Sequence, residues 1–180
     1  MQEEQGLVAR AQQYDEGAFA QLYERYFEKI FRYISLKIGD KFEAEDMAQQ
    51  VFLKALKSIE SFKWKDVPFS AWLYRIAHNL TVDYLRRKTR RPTSPLEEVE
   101  LYAEEPNSNI QKDLEFRFDL ERLSSAMGQL TEAQREVLSL RFTSELPIAA
   151  VAQIMGKSEG AVKSLQHSAV LALRRIMTTG

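Results

Sequence analysis

The 180-residue sequence has no cysteine, only five prolines and seven glycines, and no long apolar run. Without cysteine there are no disulfides and no thiolate metal sites, which suits a reducing compartment. A membrane span needs roughly 18 consecutive apolar residues, and no stretch approaches that. The N-terminal MQEEQGLVARAQQYDEG has neither the cationic start nor the apolar centre of a signal peptide. A cytoplasmic protein is therefore expected. Strand signals are missing as well: there are no period-two runs of β-branched residues and no Asn-Gly or Asp-Gly turn. So are enzymatic ones. There is no Gly-rich phosphate loop, no G-x-S-x-G and no H-E-x-x-H. The histidines, His78 and His167, sit far apart, and neither lies near a carboxylate pair at metal-ligand spacing. No catalytic residue, metal or cofactor is expected.

What is present is core-forming material, 44% hydrophobic and 11% aromatic, enough for ordered domains. The net charge of −1 conceals a segregated distribution. Residues 86–91, RRKTRR, are almost wholly cationic, while residues 97–105, EEVELYAEE, carry acids and no base. Segregation matters more than the sum for steering a polyanion. An acidic segment of this kind could equally lie against the basic end and mask it.

Helical periodicity organises the chain. From about Asp15, the residues Phe19, Leu22, Tyr23, Tyr26, Ile30, Tyr33, Ile34 and Ile38 follow a 3.6-residue pattern that Gly39 can close. Asp40 and Glu43 then resemble a capping box, opening a helix with Met47, Val51, Ala55 and Ile59 along one side. Ala48, Phe52 and Leu56 fall beside them. Asp46, Gln49, Gln50 and Lys54 are left for the other side. A third helix, Pro68 to Arg91, has an apolar stripe of Phe69, Trp72, Leu73, Ile76, Ala77, Leu80 and Tyr84. Arg75, Asn79 and Arg86 share its exposed face, and its end is cationic. In the loop before it, Phe62 and Trp64 alternate with Lys63 and Lys65. The rings either fold back onto the helices or form a stacking surface for an unpaired base, with the lysines serving its phosphates.

Residues 92–112 hold three of the five prolines among Ser, Asn and acids, the composition of a flexible linker. The expected architecture is all-α: two small helical domains, residues 1–91 and 113–180, joined by that linker. The second begins with a helix from about Asp113 to Met127. Thr131 and Gln134 form a capping box for the next, TEAQREVLSLRF. Pro147 suits the start of IAAVAQIM, Gly156 closes it, and Ser158 is a good N-cap for the last helix. Two helices joined by a tight turn make a helix-turn-helix, whose second helix typically enters the DNA major groove. Its exposed side offers Glu159, Lys163, Gln166 and His167, with Ser164 at the edge and a slim Gly160–Ala161 end. Gln pairs with adenine, Lys with guanine or phosphate, and the helix N-terminus favours a phosphate oxygen.

In order, AEDMAQQVFLKALKSIESF, FSAWLYRIAHNLTVDYLRRKTRR, LTEAQREVLSLRF and VAQIMGKSEGAVKSLQHSAVLALRRI resemble the bacterial RNA polymerase sigma factors of the extracytoplasmic-function (ECF) group of the sigma-70 family. The likeness spans nearly everything but the linker. With no further domain before or between the two, it points to the minimal group. The resemblance implies a protein that binds core RNA polymerase and directs it to promoters. It implies that the helix matching Ala44–Ile59 docks on the clamp coiled coil of the largest subunit. The family's D-x-x-Q-x-x-F falls here on Asp46, Gln49 and Phe52, with Gln50 and Lys54 alongside. The loop Phe62–Pro68 (Phe62, Lys63, Trp64, Lys65) would capture a base flipped from the minus-ten element, with Arg75 and Asn79 beside it. Arg86, Arg87, Arg90 and Arg91 would hold its phosphates. The second domain would read the minus-thirty-five duplex through Ser158, Glu159, Gly160, Lys163, Ser164, Gln166 and His167. An anti-sigma factor is an implied partner. The chain departs from many members in carrying Leu165 and Ser168 where arginines are common, and a SEL-Pro turn before Ile148. The rival reading is a helix-turn-helix regulator that acts without polymerase.

Overall fold

A computed structural model describes residues 2–64, 67–90 and 122–179, and every described element is helical. Helix α1 is Gln2–Ala11, α2 is Glu16–Ile38 and α3 is Lys41–Ser58, followed by a single 3-10 turn at Ile59–Ser61. Helix α4 is Phe69–Arg90. Residues 122–128 form α5. Then come α6 (Glu132–Thr143), α7 (Ile148–Met155) and α8 (Glu159–Thr179). The expected linker over 92–112, the start of the second domain, and Lys65 and Arg91 lie outside the described residues.

The caps explain the boundaries. The Asp15 carboxylate accepts from the backbone N–H of Ala18 at the head of α2, and Gly39 ends that helix in the left-handed region at φ 74°. The Asp40 side chain accepts from the Glu43 N–H. Thr131 and Gln134 form the complete reciprocal capping box of α6. Gly156, at φ 62°, closes α7, and Ser158 Oγ accepts from the Ala161 N–H one turn later.

In the first domain, α2 is the central helix, packed by α1, α3 and α4. Its stripe of Leu22, Tyr26, Ile30, Tyr33 and Ile34 is buried against Met47, Val51 and Ala55 of α3 and Phe69, Leu73 and Tyr74 of α4. Helix α1 has no counterpart in the sequence reading, which begins its periodicity near Asp15. With Gly6 inside it and only Leu7, Val8 and Ala11 buried, it is too short and too polar to show a long stripe. In the second domain, α6, α7 and α8 pack around Val137, Leu140, Val151, Val162 and Ala169. The two domains also touch, α2 against α6 and α4 against α7.

Candidate nucleic-acid interface

Helix α3 places Asp46, Gln49, Gln50 and Lys54 on its exposed side. Phe52 is not among them. Only 3% exposed, it sits edge-on to Tyr23 with ring centroids 4.8 Å apart, so it supports the helix from within. The exposed side carries apolar residues in its place: Phe42, Leu53 (57% exposed) and Leu56 (48%). Leu56, expected beside the buried row, thus faces out. Phe42, Asp46, Gln49, Leu53 and Leu56 follow a four-three spacing, a seam along one helix face. The sequence pattern alone could not separate this seam from the core row, because both contain leucine-sized side chains at helical spacing.

The loop before α4 divides its two rings. Phe62 is buried, packed edge-on to Phe69 at 5.3 Å and against Trp72 at 5.3 Å. Trp64 lies over this cluster, 5.1 Å from Phe62, and remains 36% exposed. Folding back is thus the outcome for Phe62, while Trp64 keeps a free face. Lys63, Arg75 and Asn79 are exposed. Phe62, Lys63, Trp72 and Arg75 line one groove, and Asn79 lies one turn further along α4, outside that lining. Gln12, between α1 and α2, was not legible in the sequence as part of this site. Its Nε2 donates to the carbonyls of Ile59 (3.0 Å) and Phe62 (2.8 Å), bracing the base of the loop across 47 residues of chain or more. No local pattern in the sequence signals such a contact.

At the end of α4, Arg86, Arg87 and Arg90 are exposed. Arg86 donates to the Asp83 carboxylate at 3.2 Å, and Lys88 sits over the Tyr84 ring. Exposed pairs of this kind hold little energy, so a phosphate can compete for the guanidinium.

On the second domain, Ser158, Glu159, Gly160, Lys163, Ser164 and His167 are exposed on α8 and Gln166 is half-buried. Lys163, Gln166 and His167 line a shallow groove with Ile148, Val170 and Arg141 of α6. Arg141 is the residue the sequence reading missed. Its Nη1 donates to the carbonyl of Leu146 at 2.9 Å, which holds the side chain at the turn before α7. Leu165, on the inner edge of α8, packs against the core and so helps seat the helix.

Both sets of elements match known sequence families. The description "Sigma-70 region 2" covers residues 22–91 and "Sigma-70, region 4" covers residues 126–175. The chain belongs to the sigma-70 family. As a sigma factor it is a polymerase-binding, promoter-directing initiation factor, and such factors are not enzymes. It is 35% identical over 174 residues to the ECF RNA polymerase sigma factor BldN of Streptomyces coelicolor, covering 95% of this chain and 64% of that one. It is 30% identical over 168 residues to the ECF sigma factor SigW of Bacillus subtilis, covering 89% of each. The sigma factor RpoE of Bartonella quintana, solved with the anti-sigma factor NepR, has the same fold: TM-score 0.74 at 22% identity, over 89% of this chain and 96% of that one. These likenesses place the sigma factor in the ECF group. A regulator acting without polymerase is not favoured, because the first domain is a sigma region and not a ligand-binding or dimerisation module. Among the described residues no helix is long and apolar enough to cross a membrane.

Proposed function

We propose that this sigma factor divides promoter recognition between its domains: the first opens and reads the minus-ten element and the second reads the minus-thirty-five duplex. The observation that carries this reading is the half-free Trp64, packed edge-to-face on the buried Phe62 ring next to Lys63, with Arg75 lining the groove beside Phe62. Flipping a base costs a few kcal/mol of unstacking, and a preformed aromatic face with flanking cations recovers part of it. Asn79 supplies the amide that can read the base edge, and Gln12 holds the loop in register. Arg86, Arg87 and Arg90, with Arg91 and Lys65 from the sequence, neutralise the phosphates of the same region.

The seam on α3 is the docking face for core polymerase. Asp46 and Gln49 give it polar matching points, and Phe42, Leu53 and Leu56 give it burial. A four-three seam fits another helix, which is the geometry of a coiled-coil partner. On α8, Lys163, Gln166 and His167, joined by Arg141, contact the duplex. Cytoplasmic residence follows from work on polymerase. A partner of the anti-sigma class is proposed by likeness to the solved RpoE complex.

The test is gel filtration of the full chain with core polymerase. Co-migration is expected, and Asp46→Ala with Gln49→Ala should remove it while leaving helical circular dichroism unchanged. A chain that never co-migrates with core polymerase would falsify the docking reading.

A further inference from the structure

The turn between α1 and α2 carries a residue that is strained and exposed at once. Tyr14 sits in the left-handed region at φ 62°, alone among the described non-glycine residues, and it is 78% exposed. A Cβ makes that conformation unfavourable, most of all for a bulky side chain, so it persists only where neighbours impose it. Here they do. The Tyr14 N–H donates to the Ala11 carbonyl at 3.1 Å, and the Asp15 N–H to the Arg10 carbonyl at 3.1 Å. One oxygen of the Asp15 carboxylate accepts from the Ala18 N–H, and the other lies 2.7 Å from the Arg10 guanidinium. The turn is held firmly, yet the Tyr14 ring gains no burial from it. Strain that stabilises nothing within the fold points to a role outside it.

The turn is tied to the loop that bears Trp64. Gln12, two residues before Tyr14, donates from Nε2 to the carbonyls of Ile59 and Phe62, and the Phe62 ring touches Trp64. At ~3.8 Å between successive Cα atoms, Tyr14 is within about 8 Å of Gln12. Pairings along α4 give the direction. Phe69 packs on Tyr26, Tyr74 packs on Tyr33, and Thr81 accepts from Lys37, so α4 runs beside α2 in the same sense. Arg86, Arg87 and Arg90 therefore lie toward the C-terminal end of α2, whereas Tyr14 precedes its N-terminal end. Across the domain the order is cationic end, Trp64, Tyr14. A strand with phosphates on the first and a base on the second leaves over the third. Arg10 stands beside Tyr14 as Lys63 stands beside Trp64, and its exposed pair with Asp15 holds little energy, so a phosphate can compete for it. We propose that Tyr14 is a second stacking seat, holding an unpaired base of the opened strand beyond the one captured at Trp64. This rests on the minus-ten reading above. Every base has a π-face, so the seat lengthens the held segment without demanding a particular base there.

The test uses the full chain in reconstituted holoenzyme and a minus-ten single strand that this holoenzyme selects from a random pool. Each base of the strand is replaced in turn by an abasic site, and the affinity is measured. The unaltered protein should lose about tenfold at the captured base and about tenfold at a second position to one side of it. Tyr14→Gly should remove the sensitivity at the second position and keep the first. Tyr14→Phe, which retains the stacking face, should keep both. Glycine suits φ 62°, so Tyr14→Gly should also raise the melting temperature of the free chain. Weaker strand binding together with higher stability is a combination that a merely structural tyrosine does not give. A profile that Tyr14→Gly leaves unchanged, or lowers evenly at all positions, overturns the seat. Trp64→Ala separates this from the reading beneath it, since it should erase the sensitivity at the captured base. If it erases none, the minus-ten reading fails and the seat with it. If it does so and Tyr14→Gly changes nothing, only the seat fails.

Discussion

Among the described residues, the first domain buries rings and the second does not. Tyr26, Tyr33, Phe52, Phe62, Phe69 and Tyr74 are buried in the first, whereas the described core of the second holds Met127, Leu130, Val137, Leu138, Leu140, Val151 and Val162. Among the described residues of the second domain Phe142 is the aromatic, and it faces out. Rings packed at fixed angles make a stiff platform, and one ring left half-free at its edge can accept a base. An aliphatic and alanine-rich bundle makes slim helices, so α8 can approach the edges of an intact duplex. The different cores suit the different states of DNA each domain is assigned.

Phe69→Ala should break this comparison most severely. It removes the ring that Phe62, Trp72 and Tyr26 pack against, at a cost of about 3–5 kcal/mol. The first domain should lose its cooperative melting transition while the second keeps its own. Next comes the junction between the domains, where Glu136 of α6 is buried and pairs with Lys37 of α2. Glu136 has a lowered pKa, so its contribution to the contact is complete above its ordinary value of 4.5 and is lost as pH falls through about 2. Protonation leaves Lys37 buried without its counter-charge, a loss of about 3 kcal/mol. The groups facing Glu136 are Tyr33 and Lys37 from α2 and His78 from α4. Scattering should show the domains parting in acid before either loses helicity.

The docking seam comes third. Asp46→Ala with Gln49→Ala should weaken core-polymerase binding by about 2 kcal/mol, as measured by fluorescence anisotropy. Leu53→Ala should add to the loss, whereas a conservative change at the buried Phe52 should act on stability instead.

The sequence carried the helices and their ends well, because capping is local. Thr131 with Gln134, Asp15 with Ala18 and the two left-handed glycines are all decided within one turn. The surface residues of α4 and α8 were legible for the same reason: one buried stripe fixes the opposite face. What was hidden depends on distant chain. The Glu136 junction links residues 103 apart through Tyr33 and 58 apart through His78. Gln12 braces a loop 50 residues away. On α3, two apolar rows compete for the core, and only packing against Tyr23 and Phe27 selects Phe52 over Leu56.

The two smallest effects sharpen the division of labour. Trp64→Ala should cost about 1–2 kcal/mol in strand capture. Lys163→Ala should cost about 1 kcal/mol in duplex binding, evenly across sequences, with the salt slope reduced by about one. The most direct test is to measure both variants in the same reconstituted holoenzyme, scoring duplex binding and strand opening separately on one promoter. Division of labour predicts that Trp64→Ala reduces opening at unchanged duplex affinity and Lys163→Ala does the reverse. Equal losses in both assays for both variants would contradict it.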